Sequence, residues 1–266
     1  MTCAAGCKLT NLGHFPCRNG RDQPLIIPTD GGKPVPYNRV TSYVGALEDS
    51  SGLIGWKQRM TTRGLALRED LYRSAQANTE DPKELSRIAA AAASAGGSDD
   101  KANLGTAIHG WTEDLDRGVP SPAVPAEYVA DVMAYEFATQ DMEHLAIERF
   151  CVLDGHKIAG TPDRISTFEG DTYIVDLKTG SIDYPGKMAM QLAVYAHSLF
   201  YNPDNTREHL PHVNRERGII IHLPAGSGVA TLHWIDIAAG WRAVEDLVRP
   251  VKAWRSLKGL TTPVSS

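Results

Sequence analysis

The feature that most constrains this chain is a change of texture at about Glu143. Before it, apolar residues recur at helical spacing. After it, they gather in short runs rich in β-branched residues. "DPKELSRIAAAAASAGG" reads as a capped, alanine-rich helix closed by Gly96 and Gly97, and "KANLGTAIHGWTEDLDRG" as a helix ending at Gly118. "YNRVTSYVGAL" offers Asn38 or Thr41 as a helix cap. The long helical pattern "SGLIGWKQRMTTRGLALREDLYRSAQA" has a weak point at Gly64, and "AEYVADVMAYEFATQDM" is one more helix. Five strands are then expected in "AIERFCVLD", "HKIAGTPDRIS", "DTYIVDLKT", "RGIIIHLP" and "VATLHWIDI". Turns separate the first three, which predicts a meander, while the helix "PGKMAMQLAVYAHSLF" lies between the third and fourth. "AAGWRAVEDLVRPVKAWRSLKGL" predicts a last helix, broken near Pro250. This order predicts an α/β fold, a central mixed β-sheet flanked by helices, with a helical N-terminal portion. Residues 1–37, rich in Gly and Pro, read as an irregular arm, and 38–258 as one domain.

A hydrophobic content of 42% and a charged content of 22% fit an ordinary globular chain, and no run is apolar enough to span a membrane. The N-terminus lacks the order of a secretory signal, so an intracellular, cytoplasmic protein is expected. No phosphate loop or G-x-G-x-x-G follows a strand, which argues against an ATP motor or a dinucleotide enzyme. Cys3, Cys7, His14 and Cys17 have two readings, a Zn²⁺ loop or a loosely ordered leader with free thiols.

The chemistry-bearing stretch is "IVDLKTG", residues 174–180. Residues two apart on a strand face the same side, so Asp176 and Lys178 emerge together at the end of an apolar run. "GTPDRI" precedes it, and a hairpin turning at "EGD" brings Asp163 beside Asp176. Two adjacent carboxylates repel unless a cation lies between them, and a hard Mg²⁺ or Mn²⁺ suits oxygen ligands. Lys178 is then placed to orient a water or neutralise developing charge. The alternative is a solvated hairpin edge, with Asp163 paired to Arg164 or Lys178.

"GTPDRI…IVDLKTG" resembles the nuclease core of the PD-(D/E)XK superfamily, most of all its RecB-like branch, which includes CRISPR-associated and phage exonucleases. "GTAIHGWTE", "IERF" and "QLAVYA" are similar to further motifs of that branch, in the right order across residues 105–200, and "RVTSYVGALEDSSGLIGW" more weakly resembles the front end of phage members. The resemblance implies a restriction-endonuclease-like core spanning 105–237, with a helical front 38–143 and a C-terminal helix 238–258. It implies that His109, Asp163, Asp176 and the Leu177 carbonyl hold metal, that Glu148 lies near it, and that Lys178 serves the attacking water. It also implies roles for Gln191, toward a phosphate or Lys178, and for Tyr195, toward the DNA strand. The spacing agrees in part. His109 and Glu113 share a helix face, as do Gln191 and Tyr195, for which ordinary core packing is the alternative. Many members of the branch hold an iron–sulfur cluster with C-terminal cysteines. Nothing after Cys151 is a cysteine, so no such cluster is expected.

The implied function is a metal-dependent DNA exonuclease for end processing in recombination, repair or phage replication, in a bacterial or phage-infected cell, with a helicase or recombinase as a potential partner. The alternatives are a catalytically silent DNA-binding or recombination-assembly protein, a structure-specific endonuclease, or an RNA nuclease. A net charge of -5 requires positive charge to be focused locally. The candidates are Lys57, Arg59, Arg63 and Arg68, then Lys187, Arg215 and Arg217, and finally Arg249, Lys252, Arg255 and Lys258. Trp56 and Trp111 are expected to pack in the core rather than stack on DNA.

Overall fold

The computed structural model describes residues 15–46, 48–120 and 123–256, without the side chains of 248–249, 251–252 and 254–256. In chain order the strands are β1 (Leu25–Ile26), β2 (Val35–Pro36), β3 (Asn38–Arg39), β4 (Glu143–Ile147), β5 (Cys151–Leu153), β6 (Ile158–Gly160), β7 (Arg164–Phe168), β8 (Asp171–Lys178), β9 (Leu199–Tyr201), β10 (Arg207–His209), β11 (Arg217–His222) and β12 (Thr231–Asp236). The helices are α1 (Val40–Val44), α2 (Ser51–Leu67), α3 (Glu69–Ala77), α4 (Pro82–Ala95), α5 (Asp100–Asp116), α6 (Val129–Thr139), α7 (Pro185–Ala196) and α8 (Ile237–Ser256). None of these helices is long and apolar enough to cross a membrane.

The fold is α/β, as expected, and β8 is its axis. The main sheet runs β12-β11-β8-β7-β4, with β8 and β11 parallel and the other pairs antiparallel. Six consecutive residues of β8, Thr172–Leu177, are buried, because helices cover both faces of the sheet. Tyr173, Val175 and Leu177 pack with Ile108 of α5 and Tyr135 of α6. Ile174 points the other way, into the core formed with Leu192 of α7 and Val244 of α8. This alternation is the period-two geometry of a strand, and it turns Asp176 toward α7.

The β7–β8 hairpin closes through Glu169 (φ 50°) and Gly170 (φ 85°), with Phe168 opposite Asp171. Two central residues with positive φ match the twist of the flanking strands, and "EGD" is the turn expected from sequence.

The expected three-strand meander needs correction. "AIERFCVLD" divides into β4 and β5, and "HKIAGTPDRIS" into β6 and β7. The β5–β6 hairpin leaves the main sheet for a second one, ordered β10-β9-β5-β6-β3. The first long run bends at Glu148, whose φ is 49°. The second bends at Thr161-Pro162-Asp163, where proline has no N–H for a ladder. The Glu148 N–H donates to the Asp163 carbonyl at 3.0 Å, tying the two bends together. Both candidate acids therefore stand where the chain changes sheets.

The described part of the N-terminal arm is more ordered than expected. β1 and β2 pair, and Tyr37 and Arg207 both donate to the Asp154 carboxylate, at 2.7 and 2.9 Å. The helix expected to weaken at Gly64 instead breaks at Arg68. Gly64 is a packing contact, since a Cβ there would lie 1.7 Å from the Ala92 carbonyl oxygen of α4. Asp81 caps α4, accepting from Lys83 N and Glu84 N at 2.9 and 3.1 Å. α1 begins after Arg39 without a side-chain cap, and α8 continues through Pro250 without the expected break.

Candidate active site

The hairpin register sets the site. Arg164 lies opposite Val175, so the next rung places Asp163 opposite Asp176. The Asp163 carboxylate accepts from Leu177 N at 2.8 Å. From α5, His109 Nδ1 comes within 3.4 Å of that same carboxylate oxygen. From α7, Gln191 Nε2 donates to Asp176 Oδ1 at 3.3 Å. Lys178 forms an ion pair with Asp176 Oδ2, and its own side chain keeps 26% exposure. Neither solvated-edge pairing is present, for Lys178 meets Asp176 rather than Asp163, and Arg164 turns to Asp116.

This site is short of hydrogen bonds. Asp176 is 3% exposed, and its Oδ2 is met only by the Lys178 ammonium, as an ion pair. Burial, and then the charge of Asp163, push the Asp176 carboxyl up to about 6, with Lys178 opposing. Burial also raises Asp163, against the Leu177 N–H and the charges of Arg164 and Lys178. Glu148 is pushed up to about 8 by loss of surrounding water and by the charges of Asp163 and Glu113. Burial lowers His109, while Asp176 and a backbone hydrogen bond with Leu177 work the other way.

Buried carboxylates crowded like this, each raised by burial and Asp176 also by the charge of Asp163, fit a divalent cation. Among the described residues no three His, Cys, Asp or Glu groups converge into a ready-made cage. Mg²⁺ does not need one, because it is bound by one or two carboxylates plus waters and substrate phosphates. Asp163 and Asp176 supply that pair, and His109 and the Leu177 backbone stand beside it.

The other candidates are spread out. Glu113 pairs with Arg117 on its own helix. Tyr195 is 3% exposed and so presents no surface for a DNA strand, which corrects the expected contact. It packs under Gly160, where a Cβ would lie 3.0 Å from its hydroxyl. Gln191 reaches Asp176 rather than Lys178. Lys187 is paired with Glu48 at 2.6 Å. Arg215 and Arg217 stand at the start of β11, which runs parallel to β8, and are therefore at the opposite end from Asp176 and Lys178. This separates them from the site they were expected to serve. On α2, Arg63 reaches the Gly96 carbonyl, and Arg68, at the break between α2 and α3, pairs with Asp70. Trp111 is half-buried, packs against the core that holds Ile108 and Tyr135, and stacks on Tyr128. The side chains of Arg249, Lys252 and Arg255, and all of Lys258, lie outside the described residues.

Cys3, Cys7 and His14 also lie outside the described residues, whereas Cys17 is disulfide-bonded. A disulfide sulfur is not a thiolate donor, so the expectation of Cys17 as a free thiol or zinc ligand is corrected.

A family model for the PD-(D/E)XK nuclease superfamily matches residues 66–208, more than half of the chain. The chain belongs to the PD-(D/E)XK nuclease superfamily. The matched span contains His109, Glu148, Asp163, Asp176, Lys178, Gln191 and Tyr195, but not Arg215, Arg217 or the N-terminal cysteines. A search of curated proteins finds none that matches.

What sequence reading missed is a buried polar cluster behind Asp163 and Asp176. It consists of Asp116, Arg164, Tyr135, His144 and Thr112. The one local signal is that Thr112 and Asp116 follow His109 at helical spacing on α5.

Proposed function

We propose that this protein is a Mg²⁺- or Mn²⁺-dependent deoxyribonuclease of the RecB-like branch, acting as an exonuclease on DNA ends. One observation carries the metal-dependent reading: Asp163 and Asp176 meet on adjacent strand ends beside Lys178, with Asp176 buried and its Oδ2 met only by the Lys178 ammonium. Asp163, Asp176, His109 and the Leu177 carbonyl would hold the metal, with Glu148 nearby. When bound, the metal would lower the pKa of a water and offset charge on the phosphate.

The chain's own residues do the positioning. Lys178 Nζ, reaching solvent beside Asp176, orients the attacking water and offsets the growing negative charge as its oxygen bonds to phosphorus and one bridging P–O bond breaks. Gln191 holds the Asp176 carboxylate, and buried Tyr195 supports Gln191 rather than touching DNA. The branch, the exonuclease mode and a role in recombination, repair or phage replication, with or without a helicase or recombinase partner, rest on resemblance alone.

The test is degradation of end-labelled linear and circular DNA, single- and double-stranded, with Mg²⁺, Mn²⁺ or EDTA, for wild type beside Lys178→Ala. Metal-dependent loss of linear DNA only, abolished by the substitution, is the expected result. Cutting of circles would move the reading to an endonuclease. Intact DNA throughout, with folded protein, would move it to a DNA-binding protein of the same fold.

A further inference from the structure

We infer that the buried cluster around Asp116 and Arg164 is a positioning device that sets the separation of His109 from Asp163. The inference rests on the metal-dependent reading of that site.

Arg164 follows Asp163 directly in the chain and is 2% exposed. Its guanidinium makes two connections to α5. Nε donates to the Asp116 carboxylate, and one terminal nitrogen donates to Thr112 Oγ1 at 3.0 Å. Thr112 Oγ1 in turn donates to the His109 carbonyl at 3.0 Å. A continuous chain of bonds therefore runs from the residue beside Asp163, through the Thr112 hydroxyl, to the backbone of His109.

The Asp116 end of the cluster is anchored from three other elements. Tyr135 of α6 donates to both carboxylate oxygens, at 2.8 and 3.0 Å. His144 of β4 lies 3.2 Å from Oδ1, and its other ring nitrogen meets Ser166 Oγ of β7 at 2.7 Å. The Arg164 guanidinium also lies over the Tyr135 ring, 5.1 Å from its centroid. α5, α6, β4 and β7 are thus pinned at one carboxylate.

An apolar core could hold these four elements together as well as ions do, because buried ion pairs are weak contributors to stability. Their advantage is direction. A planar, forked guanidinium bonded at two points permits one sliding register of α5 along β7. That register decides whether His109 Nδ1 stands 3.4 Å from Asp163 or a helical turn away. Groups that orient metal-binding side chains from behind influence metal affinity without touching the metal. Thr112, Asp116, Arg164 and Tyr135 are positioning residues in this sense.

Thr112→Val is the direct probe. It keeps the shape of the side chain and removes the hydroxyl that links Arg164 to His109. Mn²⁺ affinity is measured by the electron paramagnetic resonance signal of free Mn²⁺, at a temperature well below each variant's Tm. Thr112→Val is expected to weaken Mn²⁺ binding about tenfold, and Thr112→Ser, which restores the hydroxyl, to return it to near wild type. Tyr135→Phe, which leaves Arg164 and His144 on Asp116, is the milder companion should Thr112→Val fail to fold; it is expected to weaken binding less. A lowered Tm with unchanged Mn²⁺ affinity, in whichever of these variants folds, would overturn the inference and leave the cluster a purely structural one. A wild-type protein that binds no Mn²⁺ would instead remove the metal-dependent reading, and this inference with it.

Discussion

Two carboxylates separated by a few residues of packing meet opposite fates in this molecule. Asp116 is buried, and every side of it is satisfied, by Arg164, by Tyr135 twice, and by His144. Burial works against its charge, but the His144 hydrogen bond and the charges of Arg164 and His144 outweigh it, so its pKa falls below the ordinary carboxylate value. The Asp176 side chain is as little exposed, yet one of its oxygens meets only the Lys178 ammonium and its carboxyl is pushed up to about 6. The same residue type at the same side-chain exposure is saturated in one place and sparsely partnered in the other. A saturated cluster holds a scaffold together. A sparsely partnered one beside Lys178, which reaches solvent, is where the proposed cation would add the missing partner.

The largest expected effect comes from the sparsely partnered side. Asp176→Asn should lower the DNA cleavage rate by at least about 10²-fold, while Tm in EDTA holds or rises because one of two repelling carboxylates is gone. A fall in both rate and Tm would make Asp176 a stabilising residue and erase the contrast. On the saturated side, Arg164→Met strands the Asp116 carboxylate among partners that no longer balance it. Urea unfolding is expected to show a loss of about 3–5 kcal/mol, the scale for breaking one half of a buried ion pair.

The acid limb sharpens the comparison. Folding depresses the Asp116 pKa, so its contribution is fully present above the ordinary value of 3.8 and is lost as pH falls through the lower folded value. The stability gap between wild type and Asp116→Asn should therefore narrow when unfolding is measured at pH 3 rather than pH 6. A gap that widens toward acid would reverse the sign. The smallest effects belong to cations outside both clusters. Arg215→Ala and Arg217→Ala should each change DNA binding by under about 0.5 kcal/mol in fluorescence anisotropy, the scale of isolated exposed charges.

The legible and illegible parts of the sequence divide along the same line. The sparsely partnered site announced itself locally. Asp176 and Lys178 sit two apart on a strongly apolar strand, and a Glu-Gly turn at Glu169 and Gly170 fixes the partner strand. The α/β order and the caps at Asp81, Gly97 and Gly118 were readable for the same reason, since each depends on neighbours within a few residues. The saturated cluster could not be read. Asp116 and Arg164 are 48 positions apart, and each alone resembles a surface charge. The second sheet was hidden because several of its strands are two or three residues long, too short for a period to register. Tyr195 misled because a buried aromatic and a DNA-facing one have the same spacing from Gln191, and only the approach of Gly160 distinguishes them.

Asp163 and Asp176 are proposed to hold a divalent cation on which DNA cleavage depends. The most direct measurement is single-turnover cleavage of an end-labelled linear duplex with Mn²⁺, with bound Mn²⁺ followed in parallel, for wild type and Asp176→Asn. Wild type is expected to bind Mn²⁺ and cut, and the variant to lose both while remaining folded. A variant that binds and cuts like wild type would contradict that assignment.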